Sequence, residues 1–415
     1  MPTFASVGGN SVLAYVAITI TNSQSSATPS PFQQQIKINS SNYSSYLASN
    51  LQNVNFQDGN GSILNSWLES GNSNTSTSTI YWVSLPNGIG ANSSITIYYC
   101  IYATSVNCFN TTNTGEAPQL TSTYAQYDDG ANVFNNYWNF AGTNLPSGWQ
   151  QQANGNTITI NNGITMTTAG SDNVSYVWYN TAINPQNTVL EAYFTNATSN
   201  GSGHDETIDY ASSTSFPTTT GWPPTPFIAV GMHNTFEIYN GSTQSSGNNQ
   251  FTPVLVSLEY TSGNTAIPLF NYTSQNVPTE SASSLMSSAY PTIELNWGGY
   301  NTLSIQYMRI RAYPPSGTMP STSLGSVTQN TIKITYSSEG ETYSIKPFIN
   351  QKIGYSEAET YSTKPLINQN IGYSEAETYN IKPFISQKIV YSGSRFAEVG
   401  GSPVLYCIPI TITNS

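Results

Sequence analysis

Charged side chains are scarce in this sequence of 415 residues. Asp, Glu, Lys and Arg make up 7% of it, and the formal net charge is -11. An acidic chain with no basic cluster ahead of its C-terminal repeats repels phosphate backbones, which argues against a nucleic-acid partner. Because few groups titrate, acidification changes the charge little, as suits an acidic or hot habitat.

Long apolar runs are absent as well. No stretch reaches the ~18 apolar residues of a membrane-spanning helix, so we expect no membrane span. The opening residues lack the basic segment of a signal peptide and are predicted to form a strand. We expect an extracellular or cell-surface protein, with its export signal outside this sequence or with this sequence as part of a longer chain.

The residues that usually carry catalysis are few. The chain has two histidines, His204 and His233, and three cysteines. No Gly-x-Ser-x-Gly elbow, zinc-ligand spacing or glycine-rich phosphate loop accompanies them. The sequence therefore predicts a non-enzymatic protein without a cofactor.

One acidic stretch, "GHDETIDY", needs separate consideration. It contains three carboxylates, at Asp205, Glu206 and Asp209. Retaining glycosidases need two carboxylates ~5 Å apart, but Glu206 and Asp209 are three residues apart, so a strand would turn them to opposite faces. We interpret the stretch as a solvated loop; the alternative is a Ca²⁺ site, to which Asp128 and Asp129 could add oxygen ligands.

Aromatic residues, by contrast, make up 12% of the chain, with 29 Tyr and 7 Trp among many Ser, Thr, Asn and Gly. From residue 12 to 115, alternating and β-branched runs such as "AITIT" and "SSITIYYCIY" are separated by Asn, Gly and Ser. This pattern predicts an all-β chain that begins with a small β-sandwich.

The order "ITITNS", "SWLESGN" and "STIYWVSLPNGIGANSSITIYYCIYATS" resembles an archaeal and bacterial surface module, the domain-of-unknown-function family 2341. The resemblance implies an immunoglobulin-like sandwich at residues 1–118, followed by a concanavalin A-like jelly roll at residues 119–316. In its last strand, "LSIQYMRIRAYPP", alternation predicts that Met308 and Ile310 point inward while Arg309 and Arg311 form an outward basic face.

Residues 317–337 are interpreted as a linker and a first strand, and residues 338–395 as a small β-domain. Three near-copies with a period of 18 fill it, at Ser338–Tyr355, Ser356–Tyr373 and Ser374–Tyr391. Parallel stacking would align like charges, so antiparallel hairpins are predicted. The alternative is a duplicated stalk.

Residues 396–415 repeat residues 4–23 with an offset of 392, and 13 of the 20 positions are identical. The predicted polymerisation strand carries Val404, Tyr406, Ile408, Ile410 and Ile412. Strand addition uses such alternation, so we expect head-to-tail self-assembly into a surface filament or array by β-strand complementation. The alternative is a tandem-repeat protein whose next module begins here.

Three further expectations concern modification and sugar binding. Cys100 and Cys108 could close a local disulfide, with Cys407 outside it. Trp222, in a proline-flanked loop, is the candidate sugar contact of an alternative function, a carbohydrate-binding adhesin module that recognises cell-surface glycans. Glycosylation sequons stand at Asn39, Asn42, Asn60, Asn74, Asn92, Asn110, Asn173, Asn196, Asn200, Asn240 and Asn271.

Overall fold

The computed structural model describes residues 2–109, 112–168, 173–198, 205–219, 221–233, 235–249, 252–296 and 301–330, and beyond them the backbone of ten short strands. Strands dominate throughout, which confirms the all-β prediction. No helix of the described residues is long and apolar enough to cross a membrane.

The first part of the chain forms a sandwich. Its strands are β1 (Ala14–Asn22), β2 (Phe32–Ile38), β3 (Val54–Gln57), β4 (Ile63–Leu64), β5 (Ser66–Ser70), β6 (Thr79–Leu85), β7 (Ser93–Ile101) and β8 (Thr114–Glu116), with a 3-10 helix at Ser40–Tyr43. One sheet contains β1, β7, β3 and β4, and the other has the order β2-β6-β5-β8. Ile18 and Ile20 of β1 are fully buried while Thr19 is exposed, as alternation predicts.

The second part is a jelly roll of two large antiparallel sheets. Its elements are α1 (Gly130–Val133), β9 (Asn136–Trp138), β10 (Trp149–Gln152), β11 (Thr157–Ile160), β12 (Ile164–Thr167), β13 (Ser175–Tyr179), β14 (Thr188–Thr198), β15 (Asp205–Ala211), β16 (Phe227–His233), β17 (Thr235–Tyr239), β18 (Gln244–Asn249), β19 (Val254–Tyr260), β20 (Thr265–Phe270), β21 (Glu280–Ser281), β22 (Tyr290–Asn296) and β23 (Thr302–Ala312). The seven-stranded sheet has the order β10-β13-β22-β15-β16-β17-β18, and the eight-stranded sheet β11-β12-β23-β14-β19-β20-β21. The core lies between them and joins Ile208 and Ile293 of one sheet to Leu190 and Ile310 of the other.

After the jelly roll and a 3-10 helix at Pro315–Gly317, the chain returns to the first sandwich. Strand β24 (Ser321–Gln329) pairs antiparallel with β1, so the five-stranded sheet has the order β24-β1-β7-β3-β4. The linker interpretation of these residues is therefore wrong. The composition of these residues suggested a linker. Strand β24 is nevertheless formed there, rich in Ser and Thr, and its Leu324 and Val327 pack against the core of the first sandwich.

Arg309 and Arg311 of β23 lie at the junction between the two sandwiches, and the prediction of an outward basic face is wrong. Both are buried, because the first sandwich covers this face of the eight-stranded sheet. Arg309 Nη2 lies 2.9 Å from Glu69 Oε1 of β5, and its Nε lies 2.6 Å from Glu191 Oε2 of β14. Arg311 Nη2 lies 3.0 Å from Glu191 Oε1.

An aromatic cage surrounds the Arg309 guanidinium. Its carbon lies between 4.5 and 5.7 Å from the ring centroids of Phe134, Trp82, Trp67 and Tyr307. Two of these rings come from the first sandwich. A cation of the jelly roll is therefore held by aromatic rings and carboxylates from both sandwiches. Such contacts are strong when water is excluded.

The repeats form the last strands, β25 (Ile332–Thr335), β26 (Thr342–Ile345), β27 (Lys352–Tyr355), β28 (Ser362–Thr363), β29 (Asn370–Tyr373), β30 (Asn380–Ile381), β31 (Gln387–Tyr391), β32 (Glu398–Val399), β33 (Ser402–Pro403) and β34 (Thr411–Ile412). β25 and β26 pair antiparallel, but β27, β29 and β31 pair in parallel at an offset of 18. The antiparallel prediction is wrong for these three strands. Asn370 stands between Lys352 and Lys388 in the ladder, so the lysines are not direct neighbours.

The predicted polymerisation strand is described only at its end. Val404, Tyr406, Ile408 and Ile410 lie outside the described residues. Ile412 belongs to β34, which pairs antiparallel with β31 over two residues, Gln387 with Ile412 and Lys388 with Thr411.

Candidate functional site

The seven-stranded sheet turns one face to the core and a polar face away from it. We call the latter the acidic face; its members are Tyr176 and Trp178 of β13, Asp205, Thr207 and Asp209 of β15, Glu237 and Tyr239 of β17, and Thr292, Glu294 and Asn296 of β22. Strand pairing aligns them in rows, with Glu294 between Tyr176 and Thr207, and Thr292 between Trp178 and Asp209. At Gly231, which separates Thr207 from Glu237, a Cβ atom would lie 1.9 Å from the carbonyl oxygen of Glu206, so only glycine fits.

Asp209 and Glu294 form a buried pair of carboxyl groups on adjacent strands. Both side chains are fully buried, and the two carboxyl groups lie within hydrogen-bonding reach of each other. Burial raises the pKa of Asp209 to about 7, and burial followed by the charge of Asp209 raises the pKa of Glu294 well above its usual range. In a water-poor site two neighbouring carboxyls do not both ionise, so the pair retains a proton at neutral pH.

The loop at residues 212–226 covers part of the acidic face. Phe216 stacks on Tyr176 with ring centroids 4.3 Å apart, and the Tyr176 hydroxyl donates to the Gly221 carbonyl oxygen at 2.7 Å. Asn296 Nδ2 donates to the same oxygen at 3.3 Å, while Asn296 Oδ1 has no partner in the described part of the chain. These contacts keep water from the carboxyl pair.

Trp222 stands at the rim of this face. It is half-buried, and its ring stacks on Phe227 at 5.7 Å and packs against Tyr239 in a tilted arrangement at 4.3 Å between centroids. Burial, with smaller contributions from Asp205, Glu237 and Glu294, raises the pKa of Tyr239. Trp222 therefore lies on an aromatic pair that borders the acidic groups.

The interpretation of "GHDETIDY" as a loop is wrong for residues 205–210, which belong to a central strand. Glu206 and Asp209 do point to opposite faces, but Asp205, four residues before Asp209, shares its face. Glu294 and Glu237 were missed. In "TIELN", polar Thr, Glu and Asn alternate with core residues, a signal that a polar sheet face leaves in a sequence.

The Ca²⁺ alternative does not gather its proposed ligands. Asp128 lies at the sandwich junction, where it accepts hydrogen bonds from Trp67 Nε1, Tyr137 Oη and Asn139 Nδ2, each at 2.8 Å. Asp129 accepts from Asn132 Nδ2 at 2.6 Å. Among the described residues, no three His, Cys, Asp or Glu side chains are grouped as a metal centre would require.

Other predicted residues occupy various environments. Cys100 and Cys108 are buried thiols in one small cluster with Val12 and Tyr102, so the predicted disulfide is not formed here. Of the other aromatic residues of the jelly roll, Trp149 belongs to the core, whereas Trp178 and Tyr179 are half-buried.

The predicted glycosylation sites differ in accessibility. Five are exposed, Asn39, Asn42, Asn60, Asn92 and Asn271. Three are half-buried, Asn74, Asn173 and Asn196, and two, Asn110 and Asn200, lie outside the described residues. Asn240 is buried, and its Nδ2 donates to the Ser281 carbonyl oxygen at 2.9 Å, which leaves its amide poorly placed to accept a glycan.

Comparison with known proteins gives one sequence relative. The chain is 34% identical over 345 residues to "uncharacterized protein 562" of Sulfolobus islandicus rod-shaped virus 1, a match that covers 75% of this chain and 58% of that protein. The chain thus spans 58% of the length of this relative. No family model matches, so membership of the domain-of-unknown-function family 2341 stays a prediction.

Solved structures resemble part of the chain. They include the non-specific endo-beta-1,3(4)-glucanase SCLam from family GH16, with 12% identity, 43% of this chain and 89% of that chain covered, and a TM-score of 0.33. Another is the exoplasmic/lumenal domain of VIP36 in its Ca²⁺/Man3GlcNAc-bound form, with 11% identity, 44% and 94% covered, and a TM-score of 0.34. At these values the likeness assigns no activity to this chain.

Proposed function

We propose that the jelly roll binds carbohydrate at the rim of the acidic face, with Trp222 as the stacking surface. The observation that carries the proposal is the position of Trp222, half-exposed and braced by Phe227 and Tyr239 next to Asp205 and Glu237. Pockets that bind small polar ligands combine an aromatic surface with a few fixed polar groups. A pyranose offers an apolar C–H face to the indole and hydroxyls to polar groups at the rim.

The proposed activity is binding without cleavage. A retaining glycosidase places two carboxyls about 5 Å apart, with the scissile bond between them. Asp209 and Glu294 are instead fully buried, with the loop that carries Gly221 packed on their neighbours Tyr176 and Asn296. A sugar at Trp222 would therefore reach no exposed acid pair.

A glycan array with the full chain tests this function. Trp222→Ala should weaken binding of the recognised glycan at least about tenfold, the equivalent of one stacking contact of about 1.4 kcal/mol. Tyr98→Ala is the matched control, because Tyr98 is also half-buried and packs edge-on against two rings, Phe4 and Tyr15, in the first sandwich. Equal binding by both variants, or release of reducing ends by the wild type, would contradict the proposal.

A second candidate is a structural role as the subunit of an extracellular filament or array. The repeat of residues 4–23 at the C-terminus favours it. In this chain the opening strand β1 already lies between β7 and β24, paired at nine positions with β7 and at seven with β24. A second such strand could enter the same place only if β1 left it. A strand that links two copies therefore needs an acceptor elsewhere, either in the next module or on another partner.

Removal of residues 396–415 tests the assembly role. We expect the full chain to sediment as multimers and the truncated chain as a folded monomer, since the described cores of both sandwiches are formed by residues before 330. Circular dichroism should give the same β-spectrum for both. Multimers that persist after truncation would exclude the terminus as the joining element.

A further inference from the structure

Strand β24 is an open sheet edge of unusual length. The other edge strands of the described sandwiches are β4 and β21 with two residues, β8 with three, β10 and β11 with four, β18 with six and β2 with seven. β24 has nine, none of them charged or proline, and alternate positions are exposed.

Edge strand β2 is covered, unlike β24. Its Gln33 Oε1 accepts from the Ala312 amide at 2.9 Å, and Gln34 Nε2 donates to the Pro320 carbonyl oxygen at 3.0 Å. Proteins normally blunt long edges with charges, prolines or covering elements, so an unprotected edge indicates a partner strand.

Among the described strands, β24 pairs with β1 alone, and β1 is also the segment that the C-terminus repeats. With the offset of 392, Ile410 corresponds to Ile18, which pairs with Leu324, and Ile412 corresponds to Ile20, which pairs with Thr322. A strand with the alternation of β1 thus matches the two faces of β24, because directly opposite residues share a face.

The single proline of the terminal strand also fits. Pro409 corresponds to Ala17, the β1 position that lies at a register shift, opposite no paired residue of β24. Proline has no N–H to donate and is tolerated in sheets at bulges and on edge strands. As the outermost strand of the sheet, the added strand could turn the N–H position of Pro409 away from β24, so that no rung is lost.

We propose that residues 404–414 of a second copy add to the free edge of β24 as a new antiparallel strand. This inference rests on the assembly role proposed above and names its acceptor. Leu324 and Val327 are only half-buried, so the added strand would cover apolar surface as well as complete the ladder. Residues 404–415 and β24 carry no charge, so nothing repels the approach. Within one chain, β34 pairs over only two residues, fewer than β24 offers.

The native Cys407 gives a direct test. It corresponds to Tyr15, whose partner on β24 is the exposed Thr328, and cross-strand neighbours lie within disulfide reach. In the full chain with Thr328→Cys, oxidation should produce a ladder of reducible multimers, at least about tenfold more than in wild type. The control is Thr96→Cys, an exposed position on the same face but on a central strand.

Each outcome is informative. A ladder with Thr328→Cys and none with Thr96→Cys supports the acceptor edge. Truncation-sensitive multimers without a Thr328→Cys ladder would overturn this inference but leave the assembly role standing. A monomeric wild type would overturn both, and a disulfide that forms within single chains would show that the terminus docks on its own copy.

Discussion

Replacement of Arg309 by methionine is expected to lower the free energy of unfolding by about 3–5 kcal/mol, the usual effect of removing one partner of a buried ion pair. Glu69 and Glu191 would stay buried after losing the bonds that Arg309 now makes to them at 2.9 and 2.6 Å. Denaturant unfolding of the full chain measures the change.

Two variants make the Arg309 test specific. Arg309→Met combined with Glu69→Gln should recover part of the loss, because the stranded carboxylate is then neutral. Lys37→Met removes a cation at an exposed site and should change the free energy of unfolding by less than about 1 kcal/mol. A loss below about 1 kcal/mol for Arg309→Met would show that the cage does not hold the sandwiches together.

The protein is expected to be more stable at pH 4.5 than at pH 7.5. Burial raises the pKa of Glu116, Asp209 and Glu259 to about 7 and that of Asp129 to about 6, and it raises the pKa of Glu294 further. A carboxyl whose pKa is raised by folding binds more protons in the folded state than in the unfolded state. Its contribution to the free energy of unfolding is therefore complete below the unfolded pKa near 4 and is lost as the pH rises through 7.

The size of the pH effect follows from the two fully buried groups. A carboxyl whose pKa is raised as far as that of Asp209 changes the free energy of unfolding by about 2–3 kcal/mol, and Glu294 acts in the same direction. Glu191, whose pKa is lowered despite burial because Arg309 and Arg311 lie beside it, acts in the opposite sense below pH 4.5. Stability should therefore be greatest near pH 4–5.

Denaturant titrations at pH 4.5, 6 and 7.5 check this dependence. The Asp209→Asn/Glu294→Gln variant should show a much shallower decline, because it removes the two groups with the largest effect. A wild type whose stability rises between pH 4.5 and 7.5 would contradict the buried, protonated state of the pair.

Alternation in the sequence predicted which residues share a face but not what covers the face. Ile18 and Ile20 are buried as the alternation of their strand predicts, since a strand with one polar face has one obvious inside. Arg309 has the same period, yet the first sandwich lies over it, and its Glu69 partner is 240 residues away in sequence. No local pattern reports such a contact.

The acidic face was missed for a related reason. Asp209 and Glu294 belong to strands 85 residues apart, and only the pairing of β15 with β22 brings them together. The like-charge argument for the repeats failed differently. It rested on glutamates and lysines of the three copies that lie outside the described strands, whereas in the strands that pair in parallel Asn370 stands between Lys352 and Lys388.

The return of β24 to the first sandwich determines how tension would pass through this molecule. Asn330, the residue after β24, donates its amide to the Leu13 carbonyl oxygen at 2.8 Å, so the chain enters β1 and leaves β24 at neighbouring positions. A pulling force applied at both ends would separate β1 from β24 one residue pair at a time, beginning with Ala14 and Gln329. The jelly roll lies between β1 and β24 in the chain, so it would carry no load until these two strands had separated.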